Sequence, residues 1–564
     1  MTLPSAWRSW LPAVAVVLVA LVATAAGLSN RFAQDDVLLI EEHFLLHNLG
    51  NWRAIVSAPY WPPPHTDALY RPIASLLHAL QYTVGGGSPV VFRVVSMVLY
   101  ALASLAVLGL ARRLVHPTVA LGVALLFAAH PVHVEATALG VGQGEILVAL
   151  LATIMATLYL DRRRNGDGTL RPGDWVQLGG LYLIASLTKE SGMVIPALLL
   201  ATEFCVEGTP LRARLKGLLP GYAGLAAVAL AVLALRGLIL SGEEATPSRA
   251  EALDGLGIPG RVLTMLPVVT HWLRLLTWPL HLQADYAPQE IMPATGFGAP
   301  QALGAALLVL LGVWGILARH RLPMLTTGLA WTAVALLPVS NVLFATGIVL
   351  AERTLFLPSI GWLVAIGALG CALWEHAERW ESRRMVQRAL SVVTVLLVAA
   401  GVARSVERFS VWRDDTTYAL RTGEDAARSW RAQMARAEIL FRSSDRTAGV
   451  EGYQRAIALA PPNWVWRVRN DLARRYLEIE EIGPAAVELE ASLAAVPDQE
   501  ETRHYLVLSY LALARYDEAA AQADSALARG FNTGLFTGLR ALADTLAMEG
   551  APPGSLKINV RRGR

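Results

Sequence analysis

TVALGVALLFAAHPVHVEATALGVGQGEILVALLATIMATLYL, residues 118–160, decides the fold. Two apolar runs, 118–129 and 143–160, flank a polar island, His130 to Ala136. A crossing helix needs about 20 apolar residues, so the first run is short. Pro131 breaks the helix. Non-helical backbone at membrane depth is tolerated only where protein buries it or where it lines a wet cavity. The second run ends at Asp161 and three arginines, 162–164, as a cytoplasmic helix end does.

The same device recurs downstream. Residues 175–206 hold two short apolar halves around Leu187-Thr-Lys-Glu190. Upstream, an apolar run at 11–28 ends in RFAQDDVLLIEEHFLLHN (31–48). With Arg8 before it and Asp35-Asp36 after it, this run reads as a retained signal anchor with its N-terminus in the cytoplasm. Adjacent carboxylates at the mouth of a membrane helix are costly and point to function.

The whole composition agrees with a polytopic membrane protein. Of 564 residues, 54% are hydrophobic and 16% charged, and the mean hydropathy is +0.44; soluble domains carry about 25% charged residues. A net charge of +3 gives no case for nucleic acid. Cys205 and Cys371 are the only cysteines and lack CxxC spacing, so neither a disulfide framework nor a thiolate metal site is supported. The arginine-for-lysine bias and abundant alanine suit a bacterial source.

Further spans are expected at 90–111, 217–240, 299–317, 323–340, 354–373 and 387–403, giving 11 in all. Residues 262–280 read instead as an outer re-entrant or interfacial segment. That choice keeps the basic clusters at 319–321 and 378–384 inside. Residues 29–89 form a long extracytoplasmic loop with an amphipathic stretch, 37–49, suited to the membrane interface.

Composition shifts near residue 405. GYQRAIALAPPN (452–463), AAVELEASLAAVPDQ (485–499) and EAAAQADSALARG (518–530) recur at about 34 residues, the tetratricopeptide period. The expected organisation is a membrane domain over 1–404, a linker helix over 405–429, repeats with a capping helix over 430–548, and a disordered tail from 549. The fold class is all-α: a membrane helical bundle followed by an α-solenoid.

Polar islands gather on the outer face: Asp35-Asp36, Arg71, His130/His133/Glu135, Gln143/Glu145, Lys189-Glu190, Asp285-Tyr286 and Glu352-Arg353. Carboxylates can act as general bases, and Lys or Arg can hold phosphate. His43 and His47, with Glu42, have a spacing that zinc could use, but on an interfacial helix this reads as coincidence. A divalent ion at Asp35/Asp36 has no support.

YRPIASLLHALQY, HPVHVEA, LTKESG, ADY after WLRLLTWPLHL, and above all AERTLFLPSIG resemble the transmembrane and tetratricopeptide-repeat O-mannosyltransferases, within the C-type glycosyltransferases (GT-C). The resemblance covers nearly the whole chain. It implies transfer of a sugar, usually mannose, from a polyprenyl phosphate to Ser or Thr outside the cytoplasm by a multi-pass protein; with the compositional bias, the expected location is the bacterial inner membrane. It makes Asp35 the base, assisted by Asp36. Lys189, Arg353 and Arg71 would hold the donor phosphate. Glu190 and Glu352 would orient these cations, and His130, His133, Glu135, Gln143, Glu145, Asp285 and Tyr286 would line the cavity. The chain departs from the family at Gly142-Gln143-Gly144-Glu145, where an Arg is usual, and at Pro59-Tyr60-Trp61, where an Asp is usual. A lipid or polysaccharide acceptor, or a non-enzymatic scaffold whose repeats bind a partner protein, are the competing readings.

Overall fold

The computed structural model describes residues 5–63, 69–164, 169–206, 211–241, 250–377, 383–443, 445–554 and 558. Residues 242–249, most of the basic stretch 378–384, the end of the tail, and the side chain of Arg8 lie outside the described residues. Among the described residues all regular structure is helical. The chain divides into two units: Met1–Ala284 with Pro293–Tyr418, and Asp285–Met292 with Ala419–Arg564.

The first unit contains α1 (Ser5–Thr24), α2 (Trp52–Val56), α3 (Pro72–Gly85), α4 (Pro89–Leu114), α5 (Pro117–Ala128), α6 (Val134–Ala138), α7 (Gln143–Arg164), α8 (Pro172–Thr188), α9 (Ile195–Thr202), α10 (Leu211–Leu240), α11 (Ile258–Met265), α12 (Val268–Thr277), α13 (Ala299–Ala318), α14 (Pro323–Leu336), α15 (Phe356–Ala377) and α16 (Arg383–Arg408). Proline sits in the first turn of α3, α4, α5, α8 and α14. There its missing N–H costs nothing and its fixed φ starts the helix.

This is a multi-pass membrane protein. Among the described residues seven helices are long and apolar enough to cross, and eight if α5 and α6, bent by 44° around His130 and Pro131, count as one broken span. The expected count of eleven is therefore not met on length. α8, α9 and α14 fall short, at 17, 8 and 14 residues. The outward faces fit lipid. Leu230 and Leu238 on α10, Val309 and Leu317 on α13, and Val395 and Leu396 on α16 are all more than 60% exposed, a density of bare apolar surface that water does not tolerate.

Ion pairs mark the two ends of the bundle. At one end Arg113 of α4 binds Asp161 of α7 (2.6 Å), Arg162 binds Asp174 of α8 (3.1 Å), and Arg163 binds Glu203 after α9 (2.8 Å). The opposite ends of α4, α7 and α8 carry Arg93, Glu145 and Lys189. α14 links the two. Thr327 near its start meets Cys205 (2.8 Å), and the turn that follows it, Leu337–Val339, packs on the turn after Lys189.

α11 and α12 are two short helices parted at Pro267. Both touch the end that carries Lys189. Met265 lies 3.7 Å from Asn341 Nδ2, and the Leu276 carbonyl lies 3.2 Å from His130 Nε2. α16 finishes at this same end: Ser405 Oγ donates to the Ala129 carbonyl, and Asn30 Nδ2 donates to the Phe409 carbonyl.

α17 (Asp415–Asp425) leads into the second unit. That unit holds α18 (Trp430–Arg442), α19 (Arg446–Leu459), α20 (Val465–Glu478), α21 (Ile482–Ala495), α22 (Glu500–Ala512), α23 (Tyr516–Ala528) and α24 (Thr533–Glu549). Three consecutive pairs thus begin at Trp430, Val465 and Glu500, and each pair packs on itself. Ala437, Leu472 and Val507 fill equivalent first-helix positions, and Gly449, Ala485 and Ala519 equivalent second-helix positions, all buried. The small residues let the helices close: a Cβ on Gly449 would lie 2.5 Å from the Phe441 nitrogen. The tail expected to be disordered from 549 folds back at first, with Gly554 N donating to the Ala512 carbonyl (2.8 Å) and Tyr516 Oη to the Ala551 carbonyl (2.6 Å).

Candidate active site

The acidic pair splits into two roles. Asp36 is completely buried. Its Oδ2 accepts from both terminal nitrogens of Arg93 (3.1 Å each) and from Gly140 N (2.9 Å), while Oδ1 accepts from Val141 N (3.0 Å). Arg93 also donates to the Arg31 carbonyl at 2.6 Å. Asp36 therefore ties the first loop to the turn before α7, and this corrects its expected part as assistant to Asp35. A Cβ on Gly140 would meet Ile40 at 2.7 Å, so glycine permits this close approach.

Asp35 stays partly open, its side chain 22% exposed, with Oδ2 3.3 Å from Arg353 Nη1. The same Nη1 lies 3.2 Å from Glu135, and the Arg353 backbone N–H donates to the other Glu135 oxygen at 2.8 Å. Lys189 binds Glu145 at 2.8 Å. Arg71 binds Glu190 through Nη2 at 2.7 Å and Nε at 2.9 Å, and covers the ring of Tyr60 at 4.8 Å. The three groups share one field. Arg353 senses Glu135, Asp35 and Glu145, and Lys189 senses Glu145, Arg71 and Arg353. Tyr60 senses Arg71 and Asp35; burial pushes its phenol up to about 12, so it remains a neutral donor near neutral pH.

Beside the buried Asp36–Arg93 tie, these three groups thus bring together four carboxylates, Asp35, Glu135, Glu145 and Glu190, and three cations, Arg71, Lys189 and Arg353. Asp35 and Glu190, at 22% and 27% exposure, are the acids a substrate can reach; Glu135 and Glu145, at 4% and 5%, act on their cations from behind.

Several expected members stand elsewhere. Glu352 does not orient Arg353. It is fully buried, accepts from Gln283 N at 2.6 Å and faces Arg408 at 3.7 Å. Glu135 holds Arg353 instead, and Glu190 serves Arg71 rather than Lys189. His133 is no cavity wall: its ring nitrogens meet Tyr100 Oη (3.0 Å) and Ser359 Oγ (2.9 Å). His130 takes Val132 N on Nδ1 and faces the Leu276 carbonyl through Nε2, which fixes the break between α5 and α6. Gln143 is buried among Gln81, Ser96 and the Phe92 carbonyl. Asp285 and Tyr286 belong to the second unit, where Asp285 holds Ser429 and Arg431. Arg93 and Gln34 are absent from the expected site, where Tyr60 figures only in a departure from the family pattern. Arg93 carried a signal, as a charge near the start of an apolar helix.

Among the described residues no three His, Cys, Asp or Glu side chains are placed to hold a metal together.

Residues 65–235 match the family model described as dolichyl-phosphate-mannose-protein mannosyltransferase. This stretch carries Arg71, Glu135, Glu145, Lys189 and Glu190. The chain is similar to Protein O-mannosyl-transferase TMTC3 of Mus musculus, 26% identical over 71% of this chain and 46% of that one. It is also similar to Protein O-mannosyl-transferase TMTC4 of Homo sapiens, 26% identical over 61% of this chain and 52% of that one. The chain spans about half the length of the curated relatives it matches. Among solved structures, the archaeal oligosaccharyltransferase AglB from Archaeoglobus fulgidus, in complex with an inhibitory peptide and a dolichol-phosphate, overlays with a TM-score of 0.37. The identity is 15%, over 81% of this chain and 60% of that one.

Proposed function

We propose that this protein is a membrane-embedded glycosyltransferase of the C-type superfamily that moves a sugar, mannose by family likeness, from a polyprenyl phosphate to Ser or Thr of a protein. The observation that carries the reading is Asp35, a reachable carboxylate beside Arg353 in a cluster that also holds Lys189 and Arg71. The family model over residues 65–235 supplies the reaction class.

In this reading the acceptor hydroxyl oxygen attacks the anomeric carbon opposite the phosphate. Asp35 takes the hydroxyl proton, because a neutral hydroxyl is a poor nucleophile. The bond from the anomeric carbon to the phosphate oxygen breaks and its electron pair leaves with the polyprenyl phosphate. Lys189, Arg353 and Arg71 stabilise the charge that grows there. The cations are already engaged by carboxylates, so an incoming phosphate competes for them. As Arg353 turns part of its charge to phosphate, its hold on Asp35 loosens, which leaves Asp35 free to accept the proton.

The orientation follows the positive-inside preference. Arg112, Arg113 and Arg162 to Arg164 mark the cytoplasmic end, and Asp35 then lies outside. Because α16 ends beside Ala129 and Glu352, the chain leaves the membrane on the side of Asp35. The helix pairs of the second unit are read as tetratricopeptide repeats that hold the acceptor protein.

The test supplies purified protein with radiolabelled polyprenyl-phosphate mannose and, separately, other polyprenyl-phosphate sugars. Each reaction contains a Ser/Thr peptide, a lipid and a glycan acceptor. Label in the peptide supports the reading. Label only in lipid or glycan keeps the chemistry and replaces the acceptor, and no labelled product from any donor contradicts it.

A further inference from the structure

Gln34, immediately before the candidate base, is held in an unusual conformation. Its φ is 54°, a region that residues other than glycine rarely adopt. The surroundings impose it. The Gln34 N–H donates to Asp415 Oδ1 at 3.0 Å, from 381 residues further along the chain, and Arg31 N donates to the Arg413 carbonyl at 2.8 Å. Strain kept in place by distant contacts is characteristic of functional positions.

The turn brings the amide back onto its neighbour. Gln34 Nε2 donates to Asp35 Oδ1 at 2.9 Å, while Arg353 faces Oδ2. Both oxygens of the candidate base are therefore aimed, one by each neighbour. The amide orientation is fixed by chemistry, because the reverse would set the Gln34 oxygen against a carboxylate. Gln34 Oε1 then points the other way. It is buried and has no hydrogen-bond partner among the described residues. A buried amide oxygen is costly to leave without a donor. It suits a hydroxyl, which donates, and rejects a phosphate oxygen, which does not.

We propose that Gln34 is a positioning residue for Asp35 through Nε2 and a substrate contact through Oε1, which accepts a hydroxyl of the sugar or of the acceptor. One rigid amide then sets the distance between the base and the substrate. The inference rests on the reading of Asp35 as the base.

The test measures transfer by the full chain in nanodiscs, with donor and acceptor KM determined separately for Gln34→Glu, Gln34→Met, Gln34→Asn and Asp35→Asn. Gln34→Glu keeps an acceptor oxygen but loses the donor to Asp35, so kcat falls about tenfold or more with both KM values within about twofold. Gln34→Met loses both arms, so kcat falls and one KM rises about fivefold or more: the donor KM for a sugar hydroxyl, the acceptor KM for an acceptor hydroxyl. Asn tolerates the left-handed backbone but is one methylene short. It melts like the wild type, reproduces the Met result, and replaces Met if that variant does not fold. A Gln34→Glu kcat within twofold of wild type overturns the positioning role. Unchanged KM values in Gln34→Met, or in Asn standing in for it, overturn the substrate contact and leave Oε1 to a water. Wild-type transfer by Asp35→Asn removes the base, and Gln34 with it. An inactive Asp35→Asn beside wild-type-like Gln34 variants removes Gln34 alone.

Discussion

Replacing Asp36 by Asn should damage the fold, whereas the same change at Asp35 should damage only chemistry. The Asp36–Arg93 pair is 0% and 1% exposed. Asp36→Asn leaves the Arg93 charge buried without its counter-ion, and breaking such a pair costs about 3–5 kcal/mol. The amide also offers one acceptor oxygen where the carboxylate used two, so one of Gly140 N and Val141 N is stranded, at about 1–3 kcal/mol. The two terms overlap, and a total near 4 kcal/mol is a large share of a typical stability of about 5–15 kcal/mol. Asp35 has one ion pair at 3.3 Å and one amide contact and is partly solvated, so its neutralisation costs about 1 kcal/mol or less. The assay is fluorescence-detected thermal unfolding of the two variants in the same detergent. Asp36→Asn should melt about 5 °C or more below wild type, or fail to accumulate, with Asp35→Asn within about 2 °C. Adding Arg93→Gln to Asp36→Asn should recover part of the loss, because no unpaired charge remains. Equal melting of Asp36→Asn and wild type would refute the claim that Asp36 is a structural tie.

Lys189→Ala and Arg353→Ala should each raise the donor KM about tenfold or more, checked by donor titration, and each should also lower the melting temperature, because Glu145 or Glu135 is left buried without its counter-ion; an unchanged donor KM in both would return these residues to structure. Gly449→Val should destabilise the second unit by about 1–3 kcal/mol, read by its melting, because the added carbons meet the Phe441 backbone. Burial lowers the His78 pKa to about 4, so the folded protein resists a proton that the unfolded chain takes up near pH 6.5; stability should fall as pH drops from 6.5 towards 4, and His78→Gln should flatten part of that slope. Single cysteines at His320 and Asp445, in a variant lacking Cys205 and Cys371, should respond oppositely to an impermeant maleimide on intact cells, with 320 protected and 445 labelled. Protection at 445 would place the repeats in the cytoplasm.

The outline was legible because it depends on short-range signals. Pro131 announced the break between α5 and α6, and the three echoed stretches fall on α19, α21 and α23, with the expected capping helix on α24. Span count was less legible. α8, α9 and α14 run between the two ends of the bundle with fewer residues than a hydropathy window assumes. The site suffered from trust in sequence neighbours. Lys189 and Glu190 are adjacent, yet one binds Glu145 and the other Arg71, because Lys189 is extended and Glu190 opens a turn. Glu352 and Arg353 diverge in the same way on their 3₁₀ turn, towards Arg408 and Glu135. Likewise the partner of Asp36 lies 57 residues away. Only packing could show that it exists.

The central claim is that Asp35 takes a proton from an acceptor hydroxyl as a sugar leaves a polyprenyl phosphate. Its most direct test is single-turnover transfer of labelled sugar to peptide by purified Asp35→Asn, at saturating donor and beside wild type. The account predicts that Asp35→Asn binds donor with wild-type affinity and transfers at least about 10²-fold more slowly. Transfer at the wild-type rate would contradict it and pass the role to another acid, with Glu190 the first to examine.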